Sequence, residues 1–319
     1  MTLVAVLDDY QAVAERMADW RNLPDRTSVA FFHDHLPDED TVVERLAHYE
    51  VIVAMRERTA FTRSVLERLP RLRLLVTTGM RNAAIDLEAA HENGVLVCGT
   101  PGSGGATTEL AWALILGLVR HVPEEDASVR AGGWQRTVGT DLAGSTLGLL
   151  GLGRLGKAMV PVAHAFGMQV LAWSANLTAE AASDAGAERV DKDELFARSD
   201  VVSVHLKLSD RTRGLVGAAE LASMKPTAWL VNTSRGPIVD EQALVAALEE
   251  GRIAGAGLDV YDQEPLPAGH PLLTAPRTIL TPHIGFVTRR TYEEWYAAAV
   301  GAIAAYLDGH PVQVLTPAS

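Results

Sequence analysis

The chain has 319 residues, 48% of them hydrophobic, with 28 basic and 40 acidic side chains and a formal net charge of −12. Its length exceeds one core of ordinary size and predicts two domains, and its apolar content excludes a disordered chain. The acidic balance argues against nucleic acid or an anionic membrane as the main partner, and a single cysteine, Cys98, excludes an intramolecular disulfide.

The N-terminus meets acid at Asp8 and Asp9 with no basic n-region, so it reads as a first strand and not as a signal peptide. Short apolar runs at 3–7, 29–32, 51–54, 72–76 and 95–97 alternate with helical stretches at 12–20, 40–48, 63–69 and 86–92. Such βα alternation predicts a parallel sheet. Cys98 closes the last run and is expected to be a buried thiol. A reducing cytoplasm is the expected location, though an exported protein without disulfides has the same composition.

A Gly/Ser/Thr stretch at 99–108 punctuates the chain before a long helix at 109–122. Its apolar segment at 110–119 is shorter than the roughly 18 residues of a membrane span, so it reads as a core helix. A second alternation places strands at 146–150, 169–173, 201–206, 228–233, 255–260 and 278–281. Helices are expected at 155–166 and at 240–250, the second with Asp240 as its N-cap and Gly251 at its end. A last helix spans 288–307. Coming after the second unit, it suggests a chain that crosses back onto the first.

Three residues beyond predicted strand ends stand out: Arg235, Glu264 and His283. Ligands of open α/β sheets bind beyond the carboxyl ends of the strands. A cation, a carboxylate and an imidazole there suit a substrate with a carboxylate and a carbonyl that gains or loses a proton. Taken singly, each has a plainer reading: an ion-paired surface arginine, a solvated turn acid, a structural histidine.

The strand at 146–150 runs into Gly151, Gly153 and Gly156 in the spacing G-x-G-x-x-G, with Arg154 and Leu155 opening the next helix. Strand before and helix after are the context that dinucleotide binding requires, with pyrophosphate at the helix N-terminus. An acidic residue normally ends the second strand, where it holds the adenosine ribose. Here Ser174 stands in that place, with Asn176 beyond it. NAD is the expected cofactor, and NADP stays open because no carboxylate repels a 2′-phosphate.

The order of the segments 148–156, 199–206, 231–236, 258–265 and 281–285 resembles the D-isomer-specific 2-hydroxyacid dehydrogenases, D-3-phosphoglycerate dehydrogenase among them. The resemblance implies an α/β enzyme of two domains. A Rossmann-type NAD(P)-binding domain would cover 99–286, and a flavodoxin-like substrate domain would combine 1–98 with 287–319. A cleft between them would hold nicotinamide and a 2-oxo or 2-hydroxy acid. A homodimer paired through the cofactor domains is also implied.

The resemblance also implies roles. Arg235 holds the substrate carboxylate or carbonyl oxygen, His283 is the acid/base, and Glu264 orients His283 and favours its charged form. Asp259 and the Thr233 carbonyl face the nicotinamide amide, and His205 lies on the adenine side. Lys207 stands where proline is common. The loop at 77–86 aligns with one whose amides cradle the substrate carboxylate, at Gly79, Met80 and Arg81. Arg56 matches an arginine that some members turn toward substrate, with a structural ion pair as the alternative. Two such extra cations, Arg56 and Arg81, would favour a dicarboxylate or phosphorylated 2-oxo acid over lactate. Tyr292, Trp295 and Tyr296 on the last helix are expected in the core, with one of them as a pocket wall as the alternative. No metal site is expected, since His33 and His35 lack a cluster of ligand spacing. A second functional reading is a non-catalytic corepressor that senses NAD(H) on the same fold. Within enzymes, Glu264 in place of glutamine argues against formate oxidation.

Overall fold

The structure, a computed structural model, describes residues 1–102 and 104–317. It divides into two compact units, Met1–Gly104 with Val287–Ser319, and Gly105–Phe286.

The first unit is built on five parallel strands: β1 (Thr2–Val6), β2 (Thr27–Phe31), β3 (Val51–Ala54), β4 (Leu74–Thr77) and β5 (Leu96–Gly99). Their order, β2-β1-β3-β4-β5, is that of flavodoxin-like sheets. Helices cover the sheet, so β3 and β4 are buried at every position and read as unbroken apolar runs instead of alternating ones. Asp38, Thr62 and Asp86 cap the following helices through their side chains. The last helix, Arg289–Leu307, starts at the Thr288 cap and packs on β4. Tyr292, Trp295 and Tyr296 are buried there.

Two features of this unit differ from the sequence pattern. The stretch 12–20 forms only one helical turn, Ala14–Met17, and a separate 3-10 turn, Trp20–Asn22. Polar side chains divide it. The Asp9 carboxylate accepts from the Val13 and Ala14 amides, Ala18 is extended, and Asp19 accepts from the Arg21 amide to open the second turn. The second feature is the C-terminal tail: Gly99 donates to Gln313 and Leu315 donates to Val97, which covers the open edge of β5. Cys98 is buried under it, and burial pushes its thiol up to about 11.

The second unit has seven parallel strands: β6 (Thr146–Leu150), β7 (Gln169–Trp173), β8 (Glu188–Arg189), β9 (Val201–Val204), β10 (Trp229–Asn232), β11 (Gly255–Leu258) and β12 (Thr278–Leu280). Their order, β12-β11-β10-β9-β6-β7-β8, is the Rossmann order with one strand added. β8 has two exposed polar residues, too short for any periodic signal. Strands β9 to β12 stop one or two residues before the apolar runs do. Leu206, Thr233, Val260 and Thr281 have already left the ladder for the turns that carry the candidate site.

The long helix, Ala106–Val119, packs on β10 and β11 as a core helix. It ends early because His121 adopts φ +51. A second helix, Val122–Arg130, starts with Pro123 in its first turn, where a missing N–H costs nothing. Asp240 caps Glu241–Glu249 by accepting from Ala243, and Gly251 follows at φ +67. Among the described residues no helix is long and apolar enough to cross a membrane.

Candidate active site

In the second unit, β6 ends in the glycine turn. Gly151 has φ +107, and a Cβ there would lie 2.6 Å from the His205 carbonyl oxygen. A Cβ on Gly156 would lie 2.2 Å from the Gly151 carbonyl oxygen. Neither position admits a side chain. A Cβ on Gly153 would meet nothing within 4 Å, and Gly153 caps the helix Arg154–Ala165. The first turn of a helix lacks intrahelical acceptors for its N–H groups and carries positive potential. Open backbone at Gly153, with Arg154 and Leu155 in that turn, fits a pyrophosphate. Ser174 follows β7 half-buried, where the ribose acid of other dinucleotide folds stands.

His205, just past β9, is half-buried, and its Nε2 lies 2.9 Å from Ser203 Oγ. Its Nδ1 and the Thr233 hydroxyl are buried without partners among the described residues. Such orphans are uncommon and suit groups that meet a ligand. Burial pushes His205 down to about 4, so the folded protein keeps it neutral while an unfolded chain protonates near the ordinary 6.5. Below that value the unfolded state binds the extra proton, so stability is lost as pH falls. From about pH 7 to about pH 5 this site should remove about 2 kcal/mol. Thermal melts of wild type and His205→Gln should therefore converge on acidification. Parallel pH dependence would refute a buried neutral imidazole.

The turns after β10, β11 and β12 interlock. Asn232 holds the β10 turn: its Oδ1 accepts from Ser234 N at 3.0 Å and its Nδ2 donates to Arg235 O at 2.9 Å. The half-buried Arg235 guanidinium donates through Nη1 to Ser234 O at 2.7 Å. Gly236 packs on the β11 turn so closely that a Cβ would lie 2.0 Å from the Tyr261 carbonyl carbon. The Tyr261 amide donates to Glu264 Oε1 at 2.9 Å, and its hydroxyl donates to Thr281 O at 2.9 Å. The other Glu264 oxygen, Oε2, lies 2.5 Å from His283 Nδ1. The imidazole stands edge-on to Phe286, with centroids 5.6 Å apart.

His283 has φ +52, a conformation that costs a non-glycine residue about 1–3 kcal/mol unless its surroundings impose it. Asp259 imposes it. Its Oδ1 accepts from Thr281 Oγ1 at 2.6 Å and Ile284 N at 2.8 Å, and its Oδ2 accepts from Gly285 N at 2.8 Å. Burial raises this carboxyl, and those hydrogen bonds oppose the rise. The resemblance implied a nicotinamide role for Asp259; the structure shows its carboxylate clamping the His283 turn from both sides. Tyr261, Asn232 and Gly236 were not singled out in the sequence, although they lie inside the segments 231–236 and 258–265 that carry the resemblance.

In the first unit, the loop after β4 is braced from within. Arg56 Nη1 donates to Thr78 O at 3.0 Å and Arg81 O at 3.2 Å, and its Nη2 reaches Glu57 Oε1 at 3.3 Å. Its guanidinium lies 5.8 Å from the centre of a Trp295 ring. Gly79 has φ +89, and a Cβ there would lie 2.0 Å from Arg56 Nη1. The Gly79 amide donates to Thr100 Oγ1 at 2.9 Å. Arg56 has the structural ion pair given as its alternative, and the Gly79 amide is already engaged. The Met80 and Arg81 amides have no acceptor among the described residues, and both side chains are exposed.

Residues 112–285 match the family model described as D-isomer specific 2-hydroxyacid dehydrogenase, NAD binding domain. This chain belongs to that family. Among curated 2-hydroxyacid dehydrogenases, it is 42% identical to glyoxylate reductase of Aeropyrum pernix over 255 residues, 77% of this chain and 76% of that one. It is 32% identical to hydroxypyruvate reductase of Blautia hydrogenotrophica, across 98% of this chain and 99% of that one. Its structure matches phosphoglycerate oxidoreductase from Vibrio cholerae with a TM-score of 0.92 at 37% identity, covering 97% of this chain and 100% of that one. The chain is an NAD(P)-dependent D-2-hydroxyacid dehydrogenase.

Proposed function

We propose that this dehydrogenase reduces a short 2-oxo acid to its D-2-hydroxy acid, with His283 as proton donor, Glu264 as its charge partner and Arg235 holding the substrate carboxylate or carbonyl oxygen. The contact of His283 Nδ1 with Glu264 Oε2 at 2.5 Å carries the reading. It assigns one ring nitrogen to the carboxylate and leaves Nε2 to serve the substrate oxygen. Bound nicotinamide supplies the hydride in reduction and takes it in oxidation. His283 gives its proton to the carbonyl oxygen in the first direction and accepts it back in the second. Arg235, on its braced turn, polarises the carbonyl or fixes the carboxylate with a planar fork. On the substrate side, the Met80 and Arg81 amides are the groups we assign to the carboxylate.

A short acid without a second anionic group is favoured because Arg56 is engaged by two carbonyls and Glu57. The relatives named glyoxylate reductase and hydroxypyruvate reductase support the same class. NAD(H) is the proposed cofactor, with Ser174 leaving NADP(H) as the second reading. The test follows nicotinamide absorbance with NADH and then NADPH against glyoxylate, pyruvate, hydroxypyruvate, 2-oxoglutarate and oxaloacetate. Turnover confined to the short acids is expected. Preference for a dicarboxylate would overturn the substrate reading.

We also propose a homodimer. Its support is the exposed apolar set Val122, Val129, Trp134 and Val138 in the second unit, of which Val138 is 91% exposed, an arrangement typical of association surfaces. A monomer in sedimentation would contradict it.

A further inference from the structure

The carboxylate beside His283 stands on an exposed turn. Asp262, Gln263, Glu264 and Pro265 are all exposed and lie outside helix and strand. Among the described residues, none of the four takes part in a backbone–backbone hydrogen bond. A segment with neither ladder nor core around it opens locally at little cost. Glu264 nevertheless keeps one oxygen on the Tyr261 amide and the other beside His283 Nδ1, so the start of the turn has to be fixed from outside.

Two groups fix it. The first is Gly236, where a Cβ would lie 2.0 Å from the Tyr261 carbonyl carbon and 2.5 Å from the Asp262 nitrogen. The second is Glu241, whose Oε1 accepts from Asp262 N at 2.8 Å. Glu241 is the first residue of the helix Glu241–Glu249, which buries Leu244, Ala247 and Leu248. The Asp240 cap before it donates its own amide to Val216 O at 2.9 Å. The Glu241 side chain thus starts from anchored backbone. It is only 14% exposed, and its Oε2 lies 3.3 Å from His270 Nε2. His270 Nδ1 accepts from Leu272 N at 3.3 Å, which leaves Nε2 as the proton-bearing nitrogen turned toward Glu241. An acid in the first turn of a helix ordinarily serves the helix dipole from solvent. Glu241 instead commits one oxygen to an amide 21 residues along the chain and the other to an imidazole.

We propose that Glu241 is a positioning residue for the proton-transfer pair: its carboxylate holds the Asp262 amide and thereby keeps Glu264 aimed at His283. The inference rests on the reading of Glu264 as the charge partner of His283. A hydrogen bond from an amide to a carboxylate is roughly twice as strong as a neutral one, and here it ties an exposed turn to a core helix. Without it the turn keeps the Gly236 contact but gains freedom to swing Glu264 off the imidazole. A misplacement of about 1 Å from a change remote from the chemistry can cost about 10²-fold; with Gly236 still in place, about 10-fold is expected.

The test measures kcat/KM with saturating NADH, for whichever of the five acids named above turns over fastest. Wild type, Glu241→Asp, Glu241→Gln, Glu264→Gln and the double variant Glu241→Asp with Glu264→Gln are compared. Aspartate keeps the charge in the first helical turn but is one methylene too short for the Asp262 amide, whereas glutamine drops the charge and keeps an oxygen acceptor at full reach. Glu241→Asp should therefore lose about 10-fold, and Glu241→Gln should stay within about threefold of wild type. In the Glu264→Gln background the aspartate should cost about twofold or less, because residues acting through one another are not additive. NADH fluorescence titration should give the same affinity throughout and checks folding. An unchanged rate in Glu241→Asp, the same loss in both backgrounds, or a loss with glutamine and not with aspartate would overturn the inference. A Glu264→Gln enzyme as active as wild type, or a wild type that binds NADH and reduces none of the five acids, would instead overturn the reading of the site, and this inference with it.

Discussion

Replacing His283 by Asn is expected to lower kcat/KM for glyoxylate reduction about 10³-fold while NADH binding persists. Asparagine is the informative replacement because position 283 has φ +52. Asn tolerates the left-handed region better than most residues, so the turn clamped by Asp259 should survive. What disappears is the proton donor. General acid catalysis of this kind supplies about 10²- to 10⁴-fold, and the variant retains Arg235 and the glycine turn, so some turnover should remain. Steady-state rates alongside NADH titration make the measurement. A variant within tenfold of wild type would mean that another group or water delivers the proton.

Replacing Glu264 by Gln is the second large effect. Gln is nearly isosteric and can still accept from the Tyr261 amide, a contact of 2.9 Å in the wild type. The side chain is about one-third exposed, and its charge lies 2.5 Å from the imidazole. An anion at that distance stabilises the cationic ring that donates the proton, and the substitution removes that support. In reduction the protonated form is the active one. The variant's kcat/KM for reduction should therefore fall about 10- to 100-fold, and more at alkaline than at acid pH. Equal loss at every pH would point to a displaced ring and not to a missing charge.

The elements that bear the site were legible because each is a short buried strand followed by a turn. Apolar runs located β6, β7 and β9 to β12, and Gly151, Gly153 and Gly156 stood in the strand–turn–helix context that gives their spacing meaning. Arg235, Glu264 and His283 were visible as polar residues just past such runs. What joins them was not legible. The fit of Gly236 against Tyr261 and the Tyr261 hydroxyl on Thr281 link turns distant in sequence and leave no periodic trace. The same holds for Asp259, whose hydrogen bonds to Thr281, Ile284 and Gly285 fix a turn some 20 residues on. In the first unit, the short helix at Ala14–Met17 was cut by Asp9 and Asp19, local polar competition that apolar spacing cannot report. Arg56 and Arg58 differ by two positions on one strand exit, and only the path of each side chain separates a brace of the β4 loop from a group held on Tyr10 and the Asp8 carbonyl.

The most direct test of the central claim is the pH profile of kcat/KM for glyoxylate reduction in wild type and Glu264→Gln, measured under identical ionic strength. A proton donor at His283 supported by the Glu264 charge predicts a deficit in the variant's kcat/KM that is largest at alkaline pH. Superimposable profiles would contradict it and remove Glu264 from the proton chemistry.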